Sequence, residues 1–128
     1  MSYDENLKVL FVEDDPIAIE YVNFLLKRKF IECDITTVRN VPEAINKLTF
    51  NKFDVAIVDY GLPVWNASKL IDQLKYYKLP YLIYTSYHPD EIKDLSETSE
   101  IVIKDGKIEK LITAIKGKLL WNINQKLL

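Results

Sequence analysis

The sequence predicts an α/β fold, a doubly wound sheet of five parallel strands with helices on both faces. Three observations lead there. Short continuous apolar runs recur along the chain, as parallel strands buried on both faces require. Between them lie segments whose apolar residues keep helical spacing. The two kinds of segment alternate from one end of the chain to the other, which calls for a parallel sheet with its crossover helices packed on it.

The elements follow in order. Val9–Val12 is the first strand. After Pro16, a residue favoured near a helix start, Ala18, Val22, Leu25 and Leu26 form one apolar helix face. "CDITTV", Cys33 to Val38, alternates apolar and polar residues and suits an edge strand. Ala44 and Leu48 mark a second, shorter helix. Val55–Val58 is the third strand, and Leu70, Ile71 and Leu74 mark the helix after it. Tyr81–Tyr84 is the fourth strand. "HPDEIKDL" is expected to be a short fourth helix, with Pro89 and two acids at its positive end. Ile101–Ile103 is the fifth strand. Ile108, Leu111, Ile112, Ile115 and Leu119 give the clearest apolar stripe, the last helix, which Trp121 continues.

Composition narrows the function. At 128 residues the chain is expected to be one domain, large enough for a real core. Its 48% apolar and 28% charged content is ordinary for a globular protein. A net charge of -2 lacks the basic footprint of a nucleic-acid binder. The start, "MSYDENLKVLF", is acidic and carries no secretory pattern. No stretch reaches the roughly 18 apolar residues of a membrane span. A cytoplasmic protein is therefore expected. Cys33 is the only cysteine, which excludes an internal disulfide, and it reads as an inert apolar filler.

The chemistry lies at the strand ends. The first strand runs into Glu13, Asp14 and Asp15, the third into Asp59, the fourth into Thr85 and Ser86, and the fifth into Lys104. In a parallel sheet these ends share one edge, where ligands of open α/β sheets bind. Carboxylates about 4 Å apart repel by roughly 4 kcal/mol per pair at an effective dielectric near 20. Either some are protonated or a cation sits among them. All-oxygen ligands suit Mg²⁺, which favours one or two carboxylates together with phosphate oxygens. A hydroxyl and a lysine beside them suit the other oxygens of a phosphoryl group. A carboxylate can itself be the nucleophile in aspartyl-phosphate chemistry.

Singly, each residue has a plainer reading. Asp59 could cap the turn before "GLP", Lys104 could be a solvated lysine and Thr85 an ordinary strand threonine. Asp15 reads as a helix N-terminal acid. His88 reads as a surface loop residue, and Tyr60, Trp65 and Tyr87 as cover for the sheet end. It is the joint pattern that argues for chemistry.

"KVLFVEDDP", "DVAIVDYGLP", "YLIYTS" and "IVIKD", in this order, resemble the receiver domain of two-component response regulators. The resemblance covers roughly residues 7 to 120, so that residues 1–128 are expected to form a single receiver domain. It implies a flavodoxin-like sheet of order 2-1-3-4-5. It also implies phosphorelay signalling: Mg²⁺-dependent transfer of a phosphoryl group from a histidine kinase's phosphohistidine to Asp59. Asp14 would be a direct Mg²⁺ ligand, Glu13 would act through water, and the backbone carbonyl of Gly61 would be the third protein ligand. Thr85 would bond the phosphoryl group, Ser86 would keep the small neighbouring side chain, and Lys104 would bridge to the phosphoryl oxygens. Leu62 and Pro63 would match the loop after the acceptor. The implied partners are a sensor histidine kinase or phosphotransfer protein and a downstream protein or output domain, with a possible homodimer through the last helix face. No nucleic acid or membrane is implied, and the chain would be a switch rather than an enzyme, with at most self-phosphorylation and autodephosphorylation.

Three departures bear on the switch. Asp105 stands where the family usually has proline, Ile101 where it often has an aromatic residue, and the segment from Thr85 to Lys104 is short. Ile101 is β-branched and stiff, so it is expected to stay buried while the Thr85–Pro89 loop and the short helix after it carry the change. Two alternatives stand beside the switch. One is a pseudo-receiver, a docking module with little phosphorylation. The other is an aspartate-nucleophile phosphohydrolase, which commonly has a second aspartate where this chain has Gly61. The three glycines, Gly61, Gly106 and Gly117, form no nucleotide-binding fingerprint.

Overall fold

The chain's structure, a computed structural model, describes residues 6–30, 32–60, 67–86 and 100–127. The strands are β1 (Leu7–Val12), β2 (Cys33–Val38), β3 (Val55–Val58), β4 (Tyr81–Thr85) and β5 (Ile101–Ile103). The helices are α1 (Pro16–Lys29), α2 (Val41–Phe50), α3 (Ala67–Tyr76) and α4 (Ile108–Leu127). All strand pairs are parallel, in the order β2-β1-β3-β4-β5. This is the predicted flavodoxin-like sheet. The expected helix "HPDEIKDL" lies outside the described residues. No helix among the described residues is long and apolar enough to cross a membrane.

Alternation along each strand divides the core in two. Val9, Phe11, Val55, Ile57, Leu82 and Val102 point to the face that α1 and α4 cover, against Val22, Leu26, Leu111 and Ile115. Leu10, Val12, Ala56, Val58 and Ile83 point to the other face, against Ala44 and Leu48 of α2 and Leu70 and Leu74 of α3. Every residue of β3 is buried. Fully burying an aliphatic or Phe side chain is worth about 1.5–3 kcal/mol, so β1 and β3 are a rigid base for whatever stands at their ends.

The edges differ from the centre. Among the described residues β2 pairs only with β1, an edge strand as its alternation suggested, although its burial does not alternate and most of its side chains are half-buried. Among the described residues β5 pairs only with β4, and there the expectation needs correction: Val102 is buried, but Ile101 and Ile103 are half-buried. An apolar run of three does not reveal that its strand is last in the sheet. Cys33, expected inside, is half-buried against the first core, and burial pushes its thiol up to about 11.

Short side-chain caps fix the loops that carry the rim. Asp15 caps α1, its Oδ1 accepting from Ile17 N at 3.1 Å, with Pro16 in the first turn. The helix thus starts immediately after Glu13 and Asp14 and turns the chain sharply out of β1. Asn40 caps α2, accepting from Glu43 N at 2.9 Å, while Glu43 accepts in return from Arg39 N at 3.2 Å. The first bond satisfies one of the orphan donors at the helix start, and the second ties the residue before the cap, Arg39, to the first turn. Between β5 and α4, Gly106 has φ +84°, a conformation that glycine adopts at little cost. Asp105 accepts from Lys107 N at 3.0 Å and pairs with Lys110 at 2.8 Å. A side-chain turn therefore shapes the loop after Lys104 in place of proline.

Candidate functional site

Strand order reverses between β1 and β3, and the two acidic strand ends meet there. Val12 pairs with Val58, and Asp59 N donates to Val12 O at 2.9 Å, so Glu13 and Asp59 leave the sheet side by side. Glu13 N in turn donates to Val38 O of β2 at 2.9 Å. One oxygen from each of Glu13, Asp14 and Asp59 lies within 4.8 Å of the others. Glu13 is 1% exposed and Asp59 8%, whereas Asp14 faces solvent.

Lys104 reaches the same place from β5. Its backbone N donates to Thr85 O at 2.8 Å, which ties the ends of β4 and β5 together. By alternation it follows Val102 on the face shared with Val9–Phe11–Glu13 and Val55–Ile57–Asp59. Its Nζ lies 2.5 Å from Glu13 Oε1 and 3.7 Å from Asp59 Oδ1. Glu13's other oxygen accepts from Asp14 N at 3.2 Å.

Among the described residues, the carboxyl groups of Glu13, Asp14 and Asp59 meet the ammonium of Lys104 at this rim. Burial, followed by the hydrogen bond and charge of Asp59, raises the Glu13 carboxyl to about 7 against the opposing pull of Lys104. The donor set fits a small hard dication: all-oxygen, acidic, and open to solvent on the Asp14 side. What remains is a nearly buried carboxylate at a strand tip with a cation beside it, suited to attack an electrophile approaching from solvent.

The structure brings together Glu13, Asp14, Asp59 and Lys104 as expected. Thr85 ends β4 and is completely buried, and Ser86 is exposed. Gly61, Leu62, Pro63, Trp65, Tyr87, His88 and Pro89 lie outside the described residues. Two features were missed. The nearest partner of Lys104 is Glu13 rather than Asp59. And the ring of Tyr84 lies under the lysine, its centroid 5.5 Å from Nζ. The signal for the second was available: in a parallel pair, an aromatic one residue before the end of β4 shares its face with the residue just past β5.

Comparison with known proteins bears on the family and the fold. Residues 9–116 match the response regulator receiver domain. The chain is 30% identical over 121 residues to the heme response regulator HssR of Staphylococcus saprophyticus, which covers 90% of this chain and 53% of the relative. It is 28% identical over 83 residues to the sensory transduction protein LytR of Staphylococcus epidermidis, 64% of this chain and 33% of the relative. The chain thus spans about half or less of these curated relatives. Among solved structures it resembles response regulator TrrA of Thermotoga maritima, in complex with Mg²⁺-BeF, with TM-score 0.78 and 24% identity over 88% of this chain and 99% of that one. It also resembles chemotaxis response regulator CheY4 of Vibrio cholerae, with TM-score 0.76 and 23% identity over 88% and 98%. At these identities the structural likeness speaks for the fold.

Proposed function

Since the chain belongs to the response regulator receiver domain family of two-component signalling, we propose that Asp59 accepts a phosphoryl group from a phosphohistidine and that the acyl phosphate switches the binding of a downstream partner. Residues 1–128 act as one such receiver. The observation that carries this reading is the position of Asp59: a carboxylate nearly buried at the reversal of strand order, grouped with Glu13 and Asp14 and within 3.7 Å of Lys104.

An Asp59 oxygen attacks phosphorus in line with the phosphohistidine nitrogen. The P–O bond forms as the P–N bond breaks, and the imidazole keeps the electron pair. Asp14 and Asp59, with Glu13 through water and the carbonyl of Gly61, would hold Mg²⁺. When bound, the ion offsets the charge of the phosphoryl oxygens and relieves the carboxylate repulsion. Lys104 swings from Glu13 to a phosphoryl oxygen, and Thr85 bonds another. Family members are signalling switches phosphorylated by histidine kinases, and any self-phosphorylation from small donors uses these same residues.

The competing reading, a docking module with little phosphorylation, draws support from the engagement of Lys104 by Glu13. One assay decides between them. With Mg²⁺ and acetyl phosphate, intact mass should show one base-labile phosphoryl group, absent from Asp59→Ala. Labelling undiminished in Asp59→Ala would remove the assignment, and an unlabelled wild-type protein would favour the docking module.

A further inference from the structure

We propose that Tyr84 is a positioning residue for Lys104: its ring face holds the lysine ammonium at the rim, within reach of both Glu13 and the phosphoryl group to be formed on Asp59. The proposal rests on reading Lys104 as a phosphoryl ligand.

Lysine is a poor anchor by itself. Its charge sits on a flexible four-carbon stem, and in this chain the loop beyond it is not stiffened by proline but turned by Gly106 at φ +84°. Its position is therefore set by what surrounds the ammonium. Glu13 and Asp59 pull on it from β1 and β3, at 2.5 Å and 3.7 Å. Those two attractions come from the β1 and β3 side, and among the described residues the Tyr84 ring faces the ammonium from the β4 side. Tyr84 pairs with Val102 in the β4–β5 register, so it projects on the face that Lys104 also occupies, one strand away. A centroid distance of 5.5 Å lies inside the roughly 6 Å range of a cation–π contact. The surroundings strengthen it. Tyr84 is 7% exposed and the Lys104 side chain 20%, so little water screens the attraction.

The ring has a property that a carboxylate lacks. It attracts the ammonium without competing for it by ion pairing, so Lys104 can leave Glu13 for a phosphoryl oxygen without leaving the ring. The face, not the hydroxyl, does this, which separates Tyr84→Phe from Tyr84→Leu.

Two measurements test the proposal on the full chain. In protein carrying ¹³C-lysine, the ε-methylene signal of Lys104, identified by its loss in Lys104→Ala, should lie upfield from ring current. It should stay there in Tyr84→Phe and return to the ordinary lysine position in Tyr84→Leu. With saturating Mg²⁺ and acetyl phosphate, the rate of labelling should change less than about twofold in Tyr84→Phe and fall about fivefold to tenfold in Tyr84→Leu, the size of one partly desolvated cation–π contact. In the Lys104→Ala background, Tyr84→Leu should have no further effect. An ordinary Lys104 signal in the wild-type protein, an equal loss in Tyr84→Phe and Tyr84→Leu, or the same loss with and without Lys104 would each overturn the positioning role. Absent labelling of the wild-type protein alongside a ring-shifted Lys104 signal would instead overturn the phosphoacceptor reading and, with it, the kinetic part of the proposal.

Discussion

Glu13 sets the electrostatic character of the rim. Its carboxyl is raised from 4.5 to about 7, chiefly by burial. Folding thus favours its protonated form. That contribution is fully present below pH 4.5 and is lost as the pH rises through about 7. In chelator-treated protein, stability should decline across this window by on the order of 1–3 kcal/mol from this group. Glu13→Gln should remove that part of the slope, as urea melts at several pH values would show. An identical slope in Glu13→Gln would mean that other groups carry it. The sequence announced Glu13, Asp14, Asp59 and Lys104 because each follows an apolar run, and the end of a strand can be read from where apolar residues stop. It did not announce that Lys104 would choose Glu13. That choice depends on the reach of a side chain across two intervening strands, β3 and β4, and on which of two carboxylates is more deeply buried.

Elements were readable where their apolar pattern was long. The stripe from Ile108 to Leu119 and the pair Leu70–Leu74 are buried as their spacing requires. The half-burial of β5 was not readable from its own apolar run; its place at the sheet edge followed only from the order that the family resemblance implied, because being last in a sheet is a property of strand order and not of the strand. The end of α3 shows another limit of local reading. Leu79 N donates to Leu74 O at 2.9 Å and Lys78 N to Lys75 O at 3.0 Å, the paired bonds of a Schellman stop. The residue in the left-handed position, φ 56°, is Lys78, where glycine is usual. Lys78→Gly should therefore stabilise the protein by about 1 kcal/mol, readable as a higher urea midpoint at unchanged m-value. A lower midpoint would mean that the lysine side chain outweighs the backbone strain. The switch also belongs to this scale. Ile101 is half-buried on an edge strand and stiff at χ1, while Thr85 is completely buried at the tip of β4. Hydrogen exchange on the Mg²⁺-bound protein, with and without beryllofluoride, should differ from Ser86 to Leu95. Thr85→Ala should abolish the difference and Ile101→Val should leave it nearly intact. The reverse ranking would move the switch to β5.

At the scale of the whole molecule, the fold concentrates acid at the ends of its two most tightly held strands. Glu13 and Asp59 stand on the two central strands, β1 and β3, and cannot separate without disturbing both cores. Repulsion between carboxylates within 4.8 Å is thus a load on the entire domain. A ligand that binds only the folded state stabilises it by mass action. Mg²⁺ at ten times its dissociation constant should add about 1.4 kcal/mol, or roughly 5 °C in Tm for a chain of this size. Asp14 is the member of the cluster that faces solvent, so its substitution leaves the cores intact. Asp14→Asn should raise the metal-free Tm by relieving repulsion, and should shrink the Mg²⁺-induced rise by removing a ligand. The two effects have opposite consequences for the holo protein, and a merely structural role for Asp14 would produce neither. Thermal melts of both proteins, with chelator and over a Mg²⁺ titration, measure them together. If Asp14→Asn melts like the wild-type protein at every Mg²⁺ concentration, Asp14 is not a ligand, and the carboxylate group is reduced to Glu13 and Asp59, bridged by Lys104.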